Sequence, residues 1–349
     1  MHSFIVIGQG LAGSAFAHTL RKRGITDFIV IDPGFQASSS QAAAGVFNPI
    51  TGVRWNKTWM ADELFPCLQT FYREVEQFIG TSFLHQIPIV QYINSIEEQN
   101  FLMGKSALDA YKTFVKIPET FPFQQHKAFG AVELQQSGFI DVMPYLDATR
   151  KWLRGTRKLI EANFESEPFQ VKPNEIIWGN LYARHAVFCT GLGQLGLLSD
   201  YHPPLIPLKG EMIAMQTKSK IPKDIILKNK VLCVPVGLNK YWVGSTYDFQ
   251  FKDLEPSEEG KKMLNNGFFD IFPDDAQVVD HWASARPTSP DRRPLAGKIP
   301  GYDNLFILNG LGTKGVSLSP FLAEALAGHI LEGNALPIEA SPVRFLQRK

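Results

Sequence analysis

Cysteine is scarce in this chain. Cys67, Cys189 and Cys233 are three residues in 349, odd in number and without a CxxC pair, which excludes a disulfide framework and a cysteine zinc site. No uninterrupted apolar run approaches the ~18 residues of a membrane span. Neither sign of charge dominates: 35 basic residues stand against 34 acidic ones, a formal net charge of +1. Bulk charge therefore offers no footprint for nucleic acid or an anionic membrane surface. HExxH, GxSxG and P-loop patterns are missing, the eight histidines are scattered, and no metal-ligand cluster is legible. A basic leader is missing as well, because the apolar stretch Phe4-Ile5-Val6-Ile7 begins almost at once. With few thiols, this predicts a cytoplasmic protein.

What is present is an ordinary globular composition, 44% hydrophobic, at a length that suits one large domain or two interlocked ones. Phe4–Ile7 reads as a parallel strand buried on both faces. Gly8-Gln9-Gly10-Leu11-Ala12-Gly13 follows, and Ser14 to Arg23 reads as a helix with a basic last turn and Gly24 as its stop. Phe28–Ile31 is a second buried strand, ending at Asp32. Together these make one βαβ unit. Further along, 59–79 and 145–154 read as helices, Tyr182 to Thr190 as a buried strand, and Leu305–Leu308 as another. A glycine-rich turn and a helix ending near Gly333 close the pattern. Two regions, Phe83 to Phe139 and 206–251, show the short alternation of antiparallel sheet. The two kinds of segment interleave, so the domains are expected to be discontinuous in sequence.

A lone GxGxxG is weak evidence. Here it follows a strand, opens a helix, and precedes a second strand whose terminal acid lies nineteen residues past Gly13, the context a dinucleotide site requires. Gly8 allows a tight turn, Gly10 a close approach of pyrophosphate, and Gly13 close helix–strand packing. Leu11 and Ala12 lie in the turn ahead of the helix, whose N-terminus offers free N–H groups to the phosphates. Asp32 suits a ribose 2′-hydroxyl and would repel a 2′-phosphate, which argues against NADP. The fingerprint does not separate FAD from NAD.

Four blocks along the chain resemble the FAD-dependent oxidoreductase family of D-amino-acid, glycine and sarcosine oxidases. They are VIGQGLAGSAFAHTLRKRG…FIVID at 6–32, SSSQAAAGVFNP at 38–49, AVFCTGLG at 186–193, and ARPTSPDRRPLAG…NLFILNGLGTKGVSLSP at 285–320. The fourth block and VGSTYDF at 243–249 look closest to glycine oxidases and to the oxidase domain of a bifunctional tRNA wobble-uridine modification enzyme. The resemblance implies an α/β fold (α+β overall): a Rossmann-like FAD-binding domain with an interleaved antiparallel-sheet substrate domain. The expected division gives 1–82, 140–205 and 285–349 to the FAD domain, and 83–139 and 206–284 to the substrate domain.

The second block implies a small-residue loop under the flavin, with Ser39 and Ser40 toward phosphate and Ala43, Ala44, Gly45 and Val46 beside the ring; an ordinary surface loop is the alternative. Thr190 and Gly191 are placed at the turn near the adenine side, with Phe164 at an adenine-contacting strand position. Gly310, Gly312, Thr313, Lys314 and Gly315 form the glycine-rich turn at the flavin, which aims N–H groups at an acceptor. Lys314 either adds a full charge there or is an exposed loop lysine. Covalent members of the family carry a cysteine shortly before the segment matching Asp291. His281–Ala285 has none, so FAD is expected to be non-covalent.

By the same resemblance Arg286 holds a substrate carboxylate, a planar partner that a guanidinium grips through two parallel hydrogen bonds. A structural salt bridge with Asp291 is the alternative. Tyr247 either lines the substrate pocket or belongs to the core. The implied activity is oxidation of the C–N bond of an amino acid or N-substituted glycine, by hydride transfer to flavin N5. Oxygen or another electron acceptor would reoxidise the flavin. A carboxymethylaminomethyl group on tRNA wobble uridine is one alternative substrate. A non-enzymatic flavin- or nucleotide-binding protein is the other rival.

Overall fold

The computed structural model describes residues 1–34, 38–52, 54–119, 129–193, 204–218, 222–272 and 276–345. Two eight-stranded sheets organise them. In the first, Leu159–Ile160, Phe28–Ile31, His2–Ile7, Leu181–Phe188 and Leu305–Asn309 run parallel in that spatial order. Leu295–Lys298 pairs antiparallel on the last of these, and the hairpin Phe169–Lys172/Glu175–Trp178 pairs on the early part of Leu181–Phe188. Ile5, Ile7, Ile29, Ile31, Ala186 and Phe188 pack on one face, and Phe4, Val6, Phe28, Val30 and Val187 on the other. Both faces are thus covered, which is why these strands read as continuous apolar runs.

The helix Leu11–Lys22 packs over the first sheet beside Gly315–Glu332. It begins at Leu11, three residues before the expected Ser14, so its N-terminus lies directly on the glycine turn. Val142–Gly155 extends the expected 145–154 helix, and Ala61–Ile79 starts two residues later than expected.

The second sheet has the order Ala276–Thr288, Ile206–Thr217, Lys240–Gly244, Leu232–Pro235, Ile226–Lys228, Ile89–Ile93, Gly130–Leu134, Val115–Lys116. All neighbours are antiparallel except Ile226–Lys228 beside Ile89–Ile93. Sequence segments from both alternating regions therefore share one sheet. Two division points fall inside strands: 139/140 lies within Gly138–Ile140, and 284/285 within Ala276–Thr288. That last strand pairs along its whole length with Ile206–Thr217, so Arg286 belongs to the second sheet. Two helices were not expected, Ile96–Ser106 and Glu258–Phe269. Among the described residues no helix is long and apolar enough to cross a membrane.

Candidate active site

A cavity of about 2300 Å³ lies between the carboxyl ends of the parallel strands and one face of the second sheet. At the end beneath the glycine turn, Gly8 adopts φ 96° and a Cβ there would stand 2.5 Å from the Cys189 carbonyl oxygen. A Cβ on Gly13 would overlap the Gly8 carbonyl oxygen. Strand, turn and helix can meet only because both positions lack side chains. Gly10, Leu11 and Ala12 open onto the cavity.

Asp32 follows the last residue of the second strand and is 7% exposed. Its Oδ2 accepts the Gln9 N–H at 2.7 Å, and its Oδ1 accepts the Gly34 N–H at 2.8 Å and Arg150 Nη1 at 2.7 Å. A carboxylate offers about four lone-pair sites, so three bonds leave one acceptor for a hydroxyl reaching in from the cavity. Arg150 also donates to Gln9 Oε1, the Asp32 carbonyl and Glu161 Oε2. Sequence reasoning passed over Arg150 and Gln9. The signal was an arginine on the buried face of a helix, four residues after Leu146 and three before Leu153.

The 38–48 loop forms one wall of the cavity, with Ser39, Ala43, Ala44, Gly45 and Val46 among its lining. Ser40 Oγ accepts the Leu11 N–H at 3.3 Å, which ties this loop to the start of the first helix. Across the cavity, Thr190 and Gly191 turn out of their strand, and the Gly191 carbonyl accepts Asn309 Nδ2–H at 2.9 Å. Asn309 Oδ1 takes the Gly310 N–H, so one buried amide joins the two glycine turns. Asn309 was also missed. Phe164 lines the cavity, but in the 3₁₀ turn Phe164–Ser166 rather than a strand. It stacks on Trp178 and meets Phe169 and Phe188 edge-on. The expected strand gives way because this aromatic cluster draws the ring under the sheet.

Gly310, Leu311, Gly312, Thr313, Lys314 and Gly315 border the cavity, and Gly315–Glu332 starts there with its free N–H groups. Lys314 is half-buried. Its Nζ lies 3.3 Å from Thr58 Oγ1, and burial together with the neighbouring Arg293 pushes its pKa down to about 8. It is not an exposed loop lysine.

At the other end of the cavity, the strand Ala276–Thr288 carries Arg286. Burial lowers its pKa, Nη1 approaches the Thr246 carbonyl at 3.5 Å, and its Cζ sits 5.5 Å from the Tyr247 ring centroid. Among the described residues no carboxylate pairs with it. Asp291 is taken: it accepts Arg344 Nε–H at 2.8 Å, and that partner helps hold its carboxyl down at about 2. The salt-bridge alternative for Arg286 therefore fails on geometry. Tyr247 is 66% exposed and lines the cavity mouth, so it is no core residue. No group of three or more metal-ligating side chains occurs among the described residues.

The cavity thus brings together glycine turns, helix N-termini, an acidic acceptor and a small-residue wall, a set that could hold phosphates, a ribose and a flat ring. The FAD dependent oxidoreductase family (DAO) matches residues 3–328, and the chain belongs to it. It is an FAD-dependent oxidoreductase enzyme, which sets aside the non-enzymatic reading.

Glycine oxidase of Pseudomonas aeruginosa is 29% identical over 141 residues, 40% of this chain and 38% of that protein. The tRNA 5-methylaminomethyl-2-thiouridine biosynthesis bifunctional protein MnmC of Idiomarina loihiensis is 30% identical over 200 residues, 55% of this chain and 32% of that one. These matches span about a third of each relative's length. The crystal structure of glycine oxidase from Geobacillus kaustophilus superposes with a TM-score of 0.81 at 20% identity, covering 98% of both chains, and shows the shared fold.

Proposed function

We propose that this enzyme oxidises the C–N bond of a small amino acid or N-substituted glycine, and that Arg286 holds the substrate carboxylate. The observation that carries this reading is a half-buried guanidinium in the cavity wall with no anionic partner among the described residues. Taking a cation out of water is costly unless an anion or hydrogen-bond acceptors offset the loss. The Thr246 carbonyl is one long contact, which leaves the donor fork open for a carboxylate. The glycine oxidase relatives agree with that choice of substrate class.

The bound flavin supplies the two-electron acceptor. The residues of the chain bind and orient. Arg286 would fix the carboxylate end, Tyr247 would cover it from the solvent side, and the 38–48 loop would hold the ring opposite. Lys314 and the N-terminus at Gly315 would set positive potential at the glycine-rich turn, where charge accumulates on reduction. Anaerobic addition of glycine, sarcosine or iminodiacetate to the purified yellow protein tests the reading. Bleaching of the flavin by at least one of these is expected, and loss of that bleaching at low substrate in Arg286→Ala. An Arg286→Ala variant with unchanged half-saturation would remove Arg286 from the site.

A tRNA-borne carboxymethylaminomethyl group is the second reading, favoured by the MnmC relatives. It presents the same N-substituted glycine to the same clamp. Salt-sensitive binding of tRNA, with bleaching by modified tRNA and none by free amino acids, would select it.

A further inference from the structure

Arg286 occupies its place because the facing strand has no side chain there. In the antiparallel register Leu208 pairs with Arg286 and Gly210 with Ser284, so Leu208, Gly210 and Arg286 share the cavity face. The guanidinium folds back across Gly210. A Cβ built on Gly210 would meet Nη1, Nη2 and Cζ of Arg286 well inside the 3.0 Å that real Cβ atoms keep. Gly210 has no left-handed φ, so the backbone itself would accept alanine.

The strand cannot step back to make room. Its flanking residues point to the opposite face and are both buried. Lys209 Nζ donates to the Glu255 carbonyl and pairs with Glu211 Oε1 at 3.4 Å. Glu211 accepts the Ser257 N–H at 2.9 Å, the Ser257 hydroxyl at 2.8 Å and His281 Nε2 at 3.0 Å. Backbone bonds hold the Tyr247 segment to the two residues flanking Gly210: Lys209 N–H to the Asp248 carbonyl at 2.9 Å, Asp248 N–H to the Lys209 carbonyl at 3.0 Å, and Thr246 N–H to the Glu211 carbonyl at 3.2 Å. The Glu211 N–H donates to Thr246 Oγ1 at 2.8 Å. The tripeptide Lys209-Gly210-Glu211 is therefore a fixed rail, with the guanidinium on one face and Tyr247 fastened along its edge.

We infer that Gly210 is a positioning residue that sets where Arg286 presents its donor fork, and through it decides selectivity for carboxylate-bearing amines. The inference rests on the proposed role of Arg286. A methyl at 210 should leave the rail in place and swing the guanidinium aside, because a flexible side-chain end yields before a strand pinned on its far face.

Gly210→Ala, Arg286→Ala and the double variant test it, each as full-length holoenzyme. With the best amino-acid substrate, Gly210→Ala should raise KM roughly ten-fold or more with kcat within about two-fold. The dissociation constant of acetate, read from the flavin spectrum, should rise in parallel. In the Arg286→Ala background the added methyl should change neither, since the group it displaces is gone. An unchanged KM and acetate affinity in Gly210→Ala overturns the inference, as does an effect that simply adds to that of Arg286→Ala. If Arg286→Ala alone leaves both values unchanged, the reading of Arg286 fails and the inference with it. Should Gly210→Ala shed FAD, the double variant reads the same clash: recovery of FAD supports the inference, and no recovery overturns it.

Discussion

Asp32 and Arg150 form a buried ion pair, 2.7 Å from Oδ1 to Nη1, where the chain leaves the second strand at the glycine-turn end of the cavity. The arginine comes from the helix Val142–Gly155, more than a hundred residues away in sequence. It neutralises the acid, yet the two Asp32 oxygens keep an acceptor site toward the cavity. Removing one partner of such a pair leaves a buried charge uncompensated, at a cost of about 3–5 kcal/mol. Arg150→Met is therefore expected to lower the thermal midpoint and to weaken FAD retention as the carboxylate swings toward water. Asp32→Ala should weaken FAD retention by about 1–3 kcal/mol through the lost hydrogen bond. Equilibrium dialysis against FAD and a thermal melt of each apoprotein separate the two effects. An Arg150→Met protein with wild-type melting and FAD affinity would contradict the account.

The glycine turn and its acid were legible in sequence because their rules are local. Gly8, Gly10 and Gly13 lie within one turn, and Asp32 follows at a set spacing. Arg150 and Asn309 were not read, because each acts through a contact that only the folded chain creates. The helix Ile96–Ser106 was legible and overlooked: Ser95 Oγ accepts the Glu98 N–H at 3.1 Å, and Glu98 Oε2 accepts the Asn94 N–H at 2.7 Å. That is a serine–glutamate capping arrangement at a spacing of three. Ser257 likewise caps Glu258–Phe269 through the Gly260 N–H, ahead of two glutamates. The boundary expected at 285 falls inside a strand for a different reason. The Arg-Pro segment resembles part of a flavin-binding block, whereas its strand is continuous with Ala276 and pairs in the other sheet.

Non-covalent FAD is a second expectation. Among the three cysteines, Cys189 is buried beneath Gly8 and Gly13, and Cys233 is buried in the far-face core of the second sheet. Burial raises the pKa of both thiols far above neutrality, so neither offers a thiolate to a flavin ring. Acid precipitation should release all flavin to the supernatant. Yellow protein in the pellet would refute this.

His18 gives an acid-stability prediction. Its ring is buried, stacks 4.8 Å from Trp152, and has Nε2 2.9 Å from Thr149 Oγ1. Burial pushes its pKa from 6.5 to about 3. Above pH 6.5 the ring is neutral in both folded and unfolded chains and contributes no pH dependence. Below that, the unfolded chain binds a proton that the folded one refuses, so stability falls as pH drops from 6.5 toward 3. The loss approaches about 1.4 kcal/mol per pH unit from this one group. His18→Phe keeps the stacking and removes the titration. Urea unfolding at pH 4.5, 5.5 and 6.5 should show a shallower pH slope in the variant, and equal slopes would exclude His18 as the source.

Lys314 gives a prediction about electron transfer. Its Nζ stands against Thr58 Oγ1 at the glycine-rich turn, with a pKa of about 8 set by burial and Arg293. Below that pH it carries a full charge facing the cavity, and above it the charge is lost. Positive potential near the flavin favours the reduced, more negative form. Lys314→Met should therefore lower the two-electron reduction potential at pH 7, and a fall of about 30 mV corresponds to about 1.4 kcal/mol of lost stabilisation. The sign also sets a pH dependence: anaerobic reduction of the native enzyme should slow as pH rises through about 8. The variant should lack that limb and keep its affinity for substrate. Potentiometric titration at pH 7 and pH 9 checks both statements at once. If the two proteins share one potential at pH 7, the charge at Lys314 is not felt at the flavin, and the backbone N–H groups from Gly312 to Gly315 carry the effect alone.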